Sequence, residues 1–253
     1  MQNNHNGVRK LKPNNFILFI LYIDPNKKMS LLSFHDTANT YEIGVDECAR
    51  GPLFGRVYTS ACVLPKDGSF RHDLMKDSKK IKSKKKMREL SDYIKENALA
   101  YHIDYIEASV IDTINIRQAV LRSMRNSIRS VLATLDTTGG VFIVVDGNDF
   151  PPYAHYNEVT ETMYEIPSTT VEKGDGTYTF IAAASILAKN AHDEYILQLC
   201  EENPYLKERY SLHENMGYGT AKHIAGIKAF GTTEWHRKSF KVKSLEPTVK
   251  NDE

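Results

Sequence analysis

The sequence predicts an α/β protein, in which strands and helices form separate packed layers. Segments with strand-like patterns come first, and segments with helical spacing then alternate with them. No internal repeat or low-complexity linker interrupts this order. The length of 253 residues favours one large domain, or one domain with an appendage. Apolar residues make up 41% of the chain, which is enough for a packed core.

Five segments are predicted to be strands. Residues 41–46 alternate between apolar and polar side chains, and residues 55–64 are rich in Val, Tyr, Thr and Cys. Residues 99–106 alternate in part. Residues 141–145 form a continuous apolar run, which is typical of a strand buried on both faces. Residues 166–171 are the fifth candidate.

Three segments are predicted to be helices because their apolar residues recur with helical spacing. They are residues 84–98, residues 116–135, where arginines lie mostly opposite the apolar side, and residues 182–200. Small residues open the third helix and let it approach a neighbouring sheet closely. Beyond Pro204 the pattern is helical and loop-like.

Charge and cysteine content exclude several classes of protein. The chain has 33 Lys and Arg against 32 Asp and Glu, which argues against a uniformly basic nucleic-acid coat but does not exclude a local basic groove. Three widely separated cysteines form no CxxC pair, which argues against a structural zinc site or a disulfide scaffold. Reduced thiols in an intracellular, cytoplasmic protein are expected.

Residues 1–40 differ from the rest and are treated as an amino-terminal extension. Basic residues precede an apolar octet, residues 16–23, which is too short to span a bilayer. Three interpretations stay open: a signal peptide without a good cleavage site, a start codon upstream of a functional Met29, or an added strand or host-specific tail. Residues 41–241 form the predicted main domain, and residues 242–253 a tail.

Acidic residues lie at the ends of the predicted strands. Asp46 and Glu47 end the first strand, Asp146 ends the continuous apolar strand, and Asp175 sits between two glycines after the last. Carboxylates at strand ends can converge on one crevice, and their oxygens suit Mg²⁺ or Mn²⁺. Each acid alone has an ordinary alternative as a turn former or helix cap.

The chain carries a series of short motifs between residues 41 and 241. The motifs are Gly44-Val-Asp46-Glu47-x-x-Arg50-Gly51-Pro52-Leu53-x-Gly55, Asp77-Ser78-Lys79-Lys80, Ile111-Asp112-x-x-Asn115-Ile116, Asp146-Gly147-Asn148, Lys173-Gly174-Asp175, Ala183-Ala184-Ser185-Ile186-Leu187-Ala188-Lys189, Gly217-Tyr218-Gly219-Thr220 and His236-Arg237-x-Ser239-Phe240. In sequence and in order, this series resembles the motifs of the prokaryotic-type ribonuclease HII family.

The resemblance implies a ribonuclease H-like fold: a mixed sheet flanked by helices, with a helical carboxy-terminal part. It implies an endoribonuclease that cuts the RNA strand of RNA–DNA hybrids and nicks 5′ to ribonucleotides embedded in duplex DNA. The products carry 3′-hydroxyl and 5′-phosphate ends. Asp46, Glu47, Asp146 and Asp175 would be the catalytic acids that bind two Mg²⁺ or Mn²⁺ ions. The implied partners are hybrids and ribonucleotide-containing DNA, with no membrane, and the chain is expected to be a monomer.

The resemblance also implies a set of substrate contacts. Tyr218 would pack against the sugar just past the ribonucleotide, with a buried core tyrosine as the alternative. The triplet Ala49, Arg50 and Gly51 is expected to contact the 2′-hydroxyl and phosphate at the RNA–DNA junction. The remaining residues are expected to contact phosphates, and each has an ordinary surface role as its alternative: Ser78, Lys79, Asn115, Ser185 and Lys189.

One departure from the family bears on specificity. The family has Gly-Arg-Gly where this chain has Ala49-Arg50-Gly51, and alanine disfavours the positive φ angles that glycine adopts. Incision at a single ribonucleotide is therefore in doubt, and cleavage of multi-ribonucleotide hybrids is expected. The altered triplet and the asparagine-rich start of the chain leave a viral origin open.

A basic run, residues 79–88, is either the edge of a substrate groove or a solvated helix start. Two other functions stay open as alternatives: a non-catalytic nucleic-acid-binding relative, and another ribonuclease H-like nuclease or phosphotransferase.

Overall fold

The computed structural model describes residues 30–157 and 161–241. The chain divides into a short amino-terminal unit and a second unit, Leu31–Glu253, which the following account concerns. The predicted amino-terminal octet, the alternative start Met29 and the tail 242–253 lie outside the described residues.

A five-stranded mixed sheet lies at the centre of the fold. Its strands, in spatial order, are β3 (Ala100–Ile106), β2 (Val57–Val63), β1 (Tyr41–Cys48), β4 (Val141–Asp146) and β7 (Ser168–Val171). β4 runs parallel to β1 and to β7, whereas β2 is antiparallel to β1 and to β3. A separate antiparallel pair consists of β5 (Tyr153–Asn157) and β6 (Thr162–Ile166).

Helices cover both faces of the sheet and continue beyond it. They are α1 (Lys84–Asn97), α2 (Ala108–Ile114), α3 (Ile116–Leu132), α4 (Thr179–Glu202), α5 (Tyr205–Tyr210), α6 (Leu212–Asn215) and α7 (Ala221–Phe230). Asn115 caps α3 through its side-chain oxygen, which accepts from the amide of Gln118 at 3.1 Å, and Ser83 caps α1 in the same way. No helix among the described residues is both long enough and apolar enough to cross a membrane.

The central strands bury side chains on both faces. Ile43 of β1 and Ile143 of β4 pack with Val120 and Ile128 of α3 on one face. On the other face, Val144 of β4 packs in a second cluster with apolar side chains of α1 and α4. This two-sided burial explains why β4 is a continuous apolar run, and it confirms the predicted α/β class and mixed sheet.

A third core joins the carboxy-terminal helices to the end of α4. Phe54, Ile196, Tyr210, Leu212 and Ile227 are all buried in it. Phe54 belongs to the loop after β1, so this core fixes the loop against the helices. The predicted helical carboxy-terminal part is confirmed.

The structure differs from the sequence predictions at four elements. β1 continues through Cys48 because its pairing with β2 outlasts its pairing with β4. Pro167 divides the predicted strand 166–171, since proline donates no backbone hydrogen bond; β6 ends before it and β7 begins after it. α2 and the β5–β6 pair were not expected, because neither shows a clear periodic pattern.

Candidate active site

Three of the four predicted acids lie at one edge of the central sheet. Parallel pairing of β1 with β4 joins Val45 to Val145, so Asp46 and Asp146 follow at equivalent positions on neighbouring strands. Side chains alternate along a strand, and both aspartates lie on the face that α4 covers. Asp46 is 4% exposed, and Glu47 is partly buried beside it.

Asp175 reaches the same edge from a short turn, Gly174–Gly176. The amide of Gly174 donates to Oδ1 of Asp146 at 2.6 Å, which ties the turn to β4. A Cβ at Gly174 would lie 2.7 Å from Cδ1 of Ile181 and 3.2 Å from that oxygen, so only glycine fits. Leu32 binds the segment that follows this turn through two backbone hydrogen bonds. Its amide donates to the Thr177 carbonyl at 2.8 Å, and its carbonyl accepts from the Thr179 amide at 2.9 Å.

The acids form a group of like charge in which Asp46 and Asp175 are buried and Glu47 and Asp146 are partly buried. Burial raises the pKa of the Asp46 carboxyl well above its usual value, and the neighbouring Glu47 and Asp146 carboxylates raise it further. Burial likewise raises the pKa of Glu47 and of Asp175. The Oδ2 atom of Asp175 is buried without a hydrogen bond, and the Lys79 ammonium stands 3.5 Å from it.

This donor set fits a hard divalent cation. Every candidate ligand atom is a carboxylate oxygen, the type Mg²⁺ and Mn²⁺ prefer. The Asp175 oxygen without a hydrogen bond and the raised carboxyl pKa values mark negative charge that the nearby Lys79 only partly balances. In the described part of the chain, no three Asp, Glu, His or Cys side chains already stand close enough to hold a metal together. Side-chain rotation would therefore accompany cation binding.

A cleft at this edge brings most of the predicted site residues together. Its lining consists of Asp46, Glu47, Cys48, Ala49, Arg50, Gly51, Ser78, Lys79, Asp146, Ser185, Lys189 and Tyr218. Tyr218 is 45% exposed, which excludes the alternative of a buried core tyrosine. A Cβ built on Gly51 would lie 3.8 Å from the Tyr218 ring, so these two residues form facing walls.

The polar residues of the cleft are held in different ways. Ser78 and Ser185 are buried, and their hydroxyls share a hydrogen bond of 2.9 Å. The Lys189 ammonium donates to Asp193 at 2.6 Å, whereas Lys79 is 81% exposed. Asn115 does not line this cleft; it caps α3 with a φ of 65°.

The rest of the basic run has mixed roles. Lys80 pairs with Asp77 at 3.0 Å, and Arg88 pairs with Glu194 of α4 at 3.1 Å. Lys86 lies in the first turn of α1 and pairs with Glu89 at 3.4 Å. Lys79 is therefore the member of the run that lines the cleft.

The loop after β1 has the backbone strain that its sequence predicts. Ala49 is 3% exposed and adopts a φ of 67°, the left-handed region that costs alanine about 1–2 kcal/mol. Arg50 is exposed, with its guanidinium 3.7 Å from Glu47. Sequence reasoning missed two neighbours of this loop: Cys48, which lines the cleft, and Arg237, which lies behind it. Both belong to motifs or strands that were recognised, but neither was given a role.

Known proteins resemble this chain over most of its length. The family model for ribonuclease HII matches residues 43–243. A ribonuclease HII of Bacteroides thetaiotaomicron is 39% identical over 199 residues, which are 79% of this chain and 88% of that protein. A second relative, a ribonuclease HII of Christiangramia forsetii, is 37% identical over 212 residues, covering 84% and 96% of the two chains.

Solved structures share the fold. The ribonuclease H2 of Pyrococcus horikoshii superposes with a TM-score of 0.62 at 21% identity, covering 79% of this chain and 94% of that one. Bst-RNase HIII, solved in complex with Mn²⁺, superposes with a TM-score of 0.51 at 15% identity, covering 77% and 71%. The matched family model and the identity to curated relatives confirm the resemblance found in the motifs: the chain belongs to the ribonuclease HII family.

Proposed function

We propose that this enzyme cuts the RNA strand of RNA–DNA hybrids, and ribonucleotide-containing strands of duplex DNA, with Mg²⁺ or Mn²⁺ as cofactor. The observation that carries the proposal is the buried group of carboxylates beside an exposed tyrosine and a strained loop, in a member of the ribonuclease HII family. Products with 3′-hydroxyl and 5′-phosphate ends are part of the proposal. The catalytic acids are proposed to be Asp46, Glu47, Asp146 and Asp175.

Two bound cations would activate the attacking water and neutralise charge on the scissile phosphate. The chain's own part is to hold the oxygens that bind them. β1 and β4 carry Asp46 and Asp146 side by side, and the hydrogen bond from Gly174 keeps the Asp175 turn against β4. Lys79 is an exposed cation beside this group and is suited to contact a phosphate of the bound strand.

The walls of the cleft would recognise the substrate strand. Tyr218 presents a half-exposed ring, which can pack against a deoxyribose but is crowded by a 2′-hydroxyl. Ala49, Arg50 and Gly51 face it across the cleft. Ser78, Ser185, Lys189 and Asn115 remain proposed phosphate contacts, although Asn115 lies outside this cleft and the two serines are buried.

Domain organisation and setting complete the proposal. Residues 41–241 would form the catalytic domain, with residues 1–40 as an extension, and the enzyme would act as a monomer inside the cell. Cys48, Cys62 and Cys200 are all free thiols, which suits a reducing compartment.

Cleavage of a labelled duplex that contains several ribonucleotides tests the proposal. The wild type should cut in Mg²⁺ or Mn²⁺ and not in EDTA, and Asp46→Asn should abolish cutting. Asp73→Asn is the matched control, because this aspartate is exposed and pairs with Arg71 outside the cleft. Equal cleavage by wild type and Asp46→Asn would contradict the proposed catalytic role.

Specificity for single ribonucleotides needs its own comparison. Ala49 keeps a backbone amide but adds a Cβ beside the cleft, so incision at one embedded ribonucleotide should be slower than at a run of four. Ala49→Gly should raise single-site kcat/KM by about fivefold, the equivalent of about 1 kcal/mol. Equal rates on both substrates, unchanged by Ala49→Gly, would refute this reasoning.

A further inference from the structure

The motif His236-Arg237 lies directly behind the cleft, and the proposed function gives it no role. Both residues are 2% exposed. Their segment pairs with the loop after β1: the Gly55 amide donates to Trp235, and the Arg237 amide donates to Leu53, both at 2.8 Å. His236 and Phe54 form an isolated antiparallel bridge between the two segments.

The Arg237 guanidinium holds the whole loop through backbone carbonyls. It donates to five of them at 2.8–3.2 Å, those of Ala49, Arg50, Pro52, Gly55 and Arg56. No carboxylate within residues 30–157 and 161–241 forms an ion pair with it. A buried cation without a counter-ion is costly, and here the carbonyl dipoles supply the compensation. The loop and the arginine therefore stabilise each other.

These bonds determine where the loop points its amides. In a trans peptide the C=O and the following N–H point in opposite directions. Because the carbonyls of Ala49 and Arg50 turn inward to Arg237, the amides of Arg50 and Gly51 turn away from it, towards the cleft. Neither amide donates to a protein group in the described part of the chain. Arg237 thus presents two free donors on the cleft side of the loop.

His236 acts on the opposite wall through a second histidine. Its Nδ1 accepts from the Thr233 amide at 2.9 Å, so the neutral ring carries its proton on Nε2. That proton is donated to Nε2 of His223 at 3.1 Å, and Nδ1 of His223 then donates to the Tyr218 carbonyl at 3.0 Å. The relay begins one residue away from Arg237 and ends on the tyrosine.

The two walls are also bonded to each other. The Leu53 amide donates to the Gly217 carbonyl at 2.8 Å, and a Cβ at Gly217 would lie 2.8 Å from the Phe54 carbonyl. With both walls fixed to one buried dipeptide, a displacement of that dipeptide changes the distance between Gly51 and Tyr218.

We propose that His236 and Arg237 are positioning residues that set the spacing and amide orientation of the substrate cleft, and so set affinity for the ribonucleotide-bearing strand without touching it. This inference rests on the proposed function. It assigns Arg237 to the loop wall and the His236–His223 pair to the tyrosine wall.

Binding without metal separates positioning from chemistry. Affinity for a labelled ribonucleotide-containing duplex is measured by fluorescence anisotropy in EDTA for wild type, Arg237→Lys and Leu206→Ala. Lysine keeps the charge but offers at most three donors, so binding should weaken about tenfold. Leu206 is fully buried in the carboxy-terminal core and does not line the cleft, so Leu206→Ala controls for lost stability of that core. In Mg²⁺, Arg237→Lys should raise KM by a similar factor and change kcat by less than threefold.

A double-mutant cycle tests the tyrosine wall. His223→Leu should weaken binding about fivefold in the wild-type background and less than twofold in Tyr218→Ala, because it acts through that residue. Additive effects in the cycle would overturn the His236–His223 assignment. The loop assignment is overturned if Arg237→Lys lowers affinity no more than Leu206→Ala does at an equal loss of thermal stability. If Arg237→Lys fails to fold, the double-mutant cycle alone decides. A wild type that neither binds nor cuts the duplex would instead defeat the proposed function.

Discussion

Gly44 lies where strand β1 packs tightly against helix α4, and Gly44→Ala is the sharpest test of this packing. A Cβ at position 44 would lie 2.6 Å from the backbone carbon and oxygen of Phe180. Phe180 belongs to the first turn of α4, so its backbone cannot rotate away. To reach the 3.4 Å at which ordinary contact begins, the helix and strand must separate by about 0.8 Å.

This separation has a stability cost and a functional cost. Overpacking a tight core costs about 1–3 kcal/mol, and the upper part of that range applies because backbone is struck. For a chain of this size, about 2–3 kcal/mol lowers Tm by roughly 4–12 °C. Asp46 lies two residues beyond Gly44 on the same face, so a shift approaching 1 Å should also lower kcat/KM by about tenfold or more.

Thermal unfolding and steady-state cleavage measure both effects. Gly176→Ala is the matched stability control: it makes the same chemical change where a Cβ meets nothing within 4 Å. Its Tm should stay within about 1 °C of the wild type, since changes in open space alter stability by about 0.5 kcal/mol or less. A Gly44→Ala protein with wild-type stability would show that α4 and β1 are not in tight contact at Gly44.

Three further predictions follow from buried polar groups. Burial lowers the pKa of His236 from 6.5 to about 4. Between these two pH values the histidine is therefore protonated in the unfolded chain and neutral in the folded chain. The free energy of unfolding should therefore fall by about 2–3 kcal/mol as the pH drops from 7 to 4, and urea titrations of wild type and His236→Asn should show a smaller fall in the variant. Asp46→Asn removes a buried carboxylate, and burial raises the pKa of that carboxyl, so in EDTA at pH 7 the Tm of the variant should exceed that of the wild type. An unchanged or lower Tm would contradict the inference that the Asp46 charge is poorly compensated in the folded protein. Glu42 is 3% exposed and accepts from the amides of His35 and Asp36 at 2.7 and 2.6 Å, so Glu42→Leu should cost about 3 kcal/mol in calorimetry, and a loss below 1 kcal/mol would show that these bonds contribute little.

Much of the architecture can be predicted from the sequence because short local patterns of apolar and polar residues determine it. β4 is a continuous apolar run since both of its faces are buried, and Asp146 stands out as the polar residue that ends it. α3 shows helical spacing because one side packs on the sheet. Positive φ at Ala49 could be suspected from the glycine that the family is expected to carry at this position.

The remaining features depend on contacts between residues far apart in the chain. The Ser78–Ser185 hydrogen bond joins positions 107 residues apart, and no local pattern encodes it. The β5–β6 pair was missed because β6 is largely exposed and carries little apolar periodicity. Asn115 was interpreted as a phosphate contact because its motif suggested one, while its capping of α3 is visible only in the backbone geometry. Arg237 was recognised as part of a motif, but its five carbonyl partners follow only from the folded chain.

The hydrogen bonds from Arg237 to the loop after β1 also affect when, during synthesis, the protein becomes able to bind its substrate. The arginine is separated from the loop residues it holds by 181 to 188 positions. All four acids precede Arg237 in the chain, so every proposed metal ligand leaves the ribosome before Arg237 can hold the loop. A nascent or prematurely terminated chain would carry the acids, but the loop after β1 would not be held by Arg237. Such a chain would be expected to bind nucleic acid weakly. The segment that carries Arg237 would thus keep a chain that stops before it from acting as a nuclease.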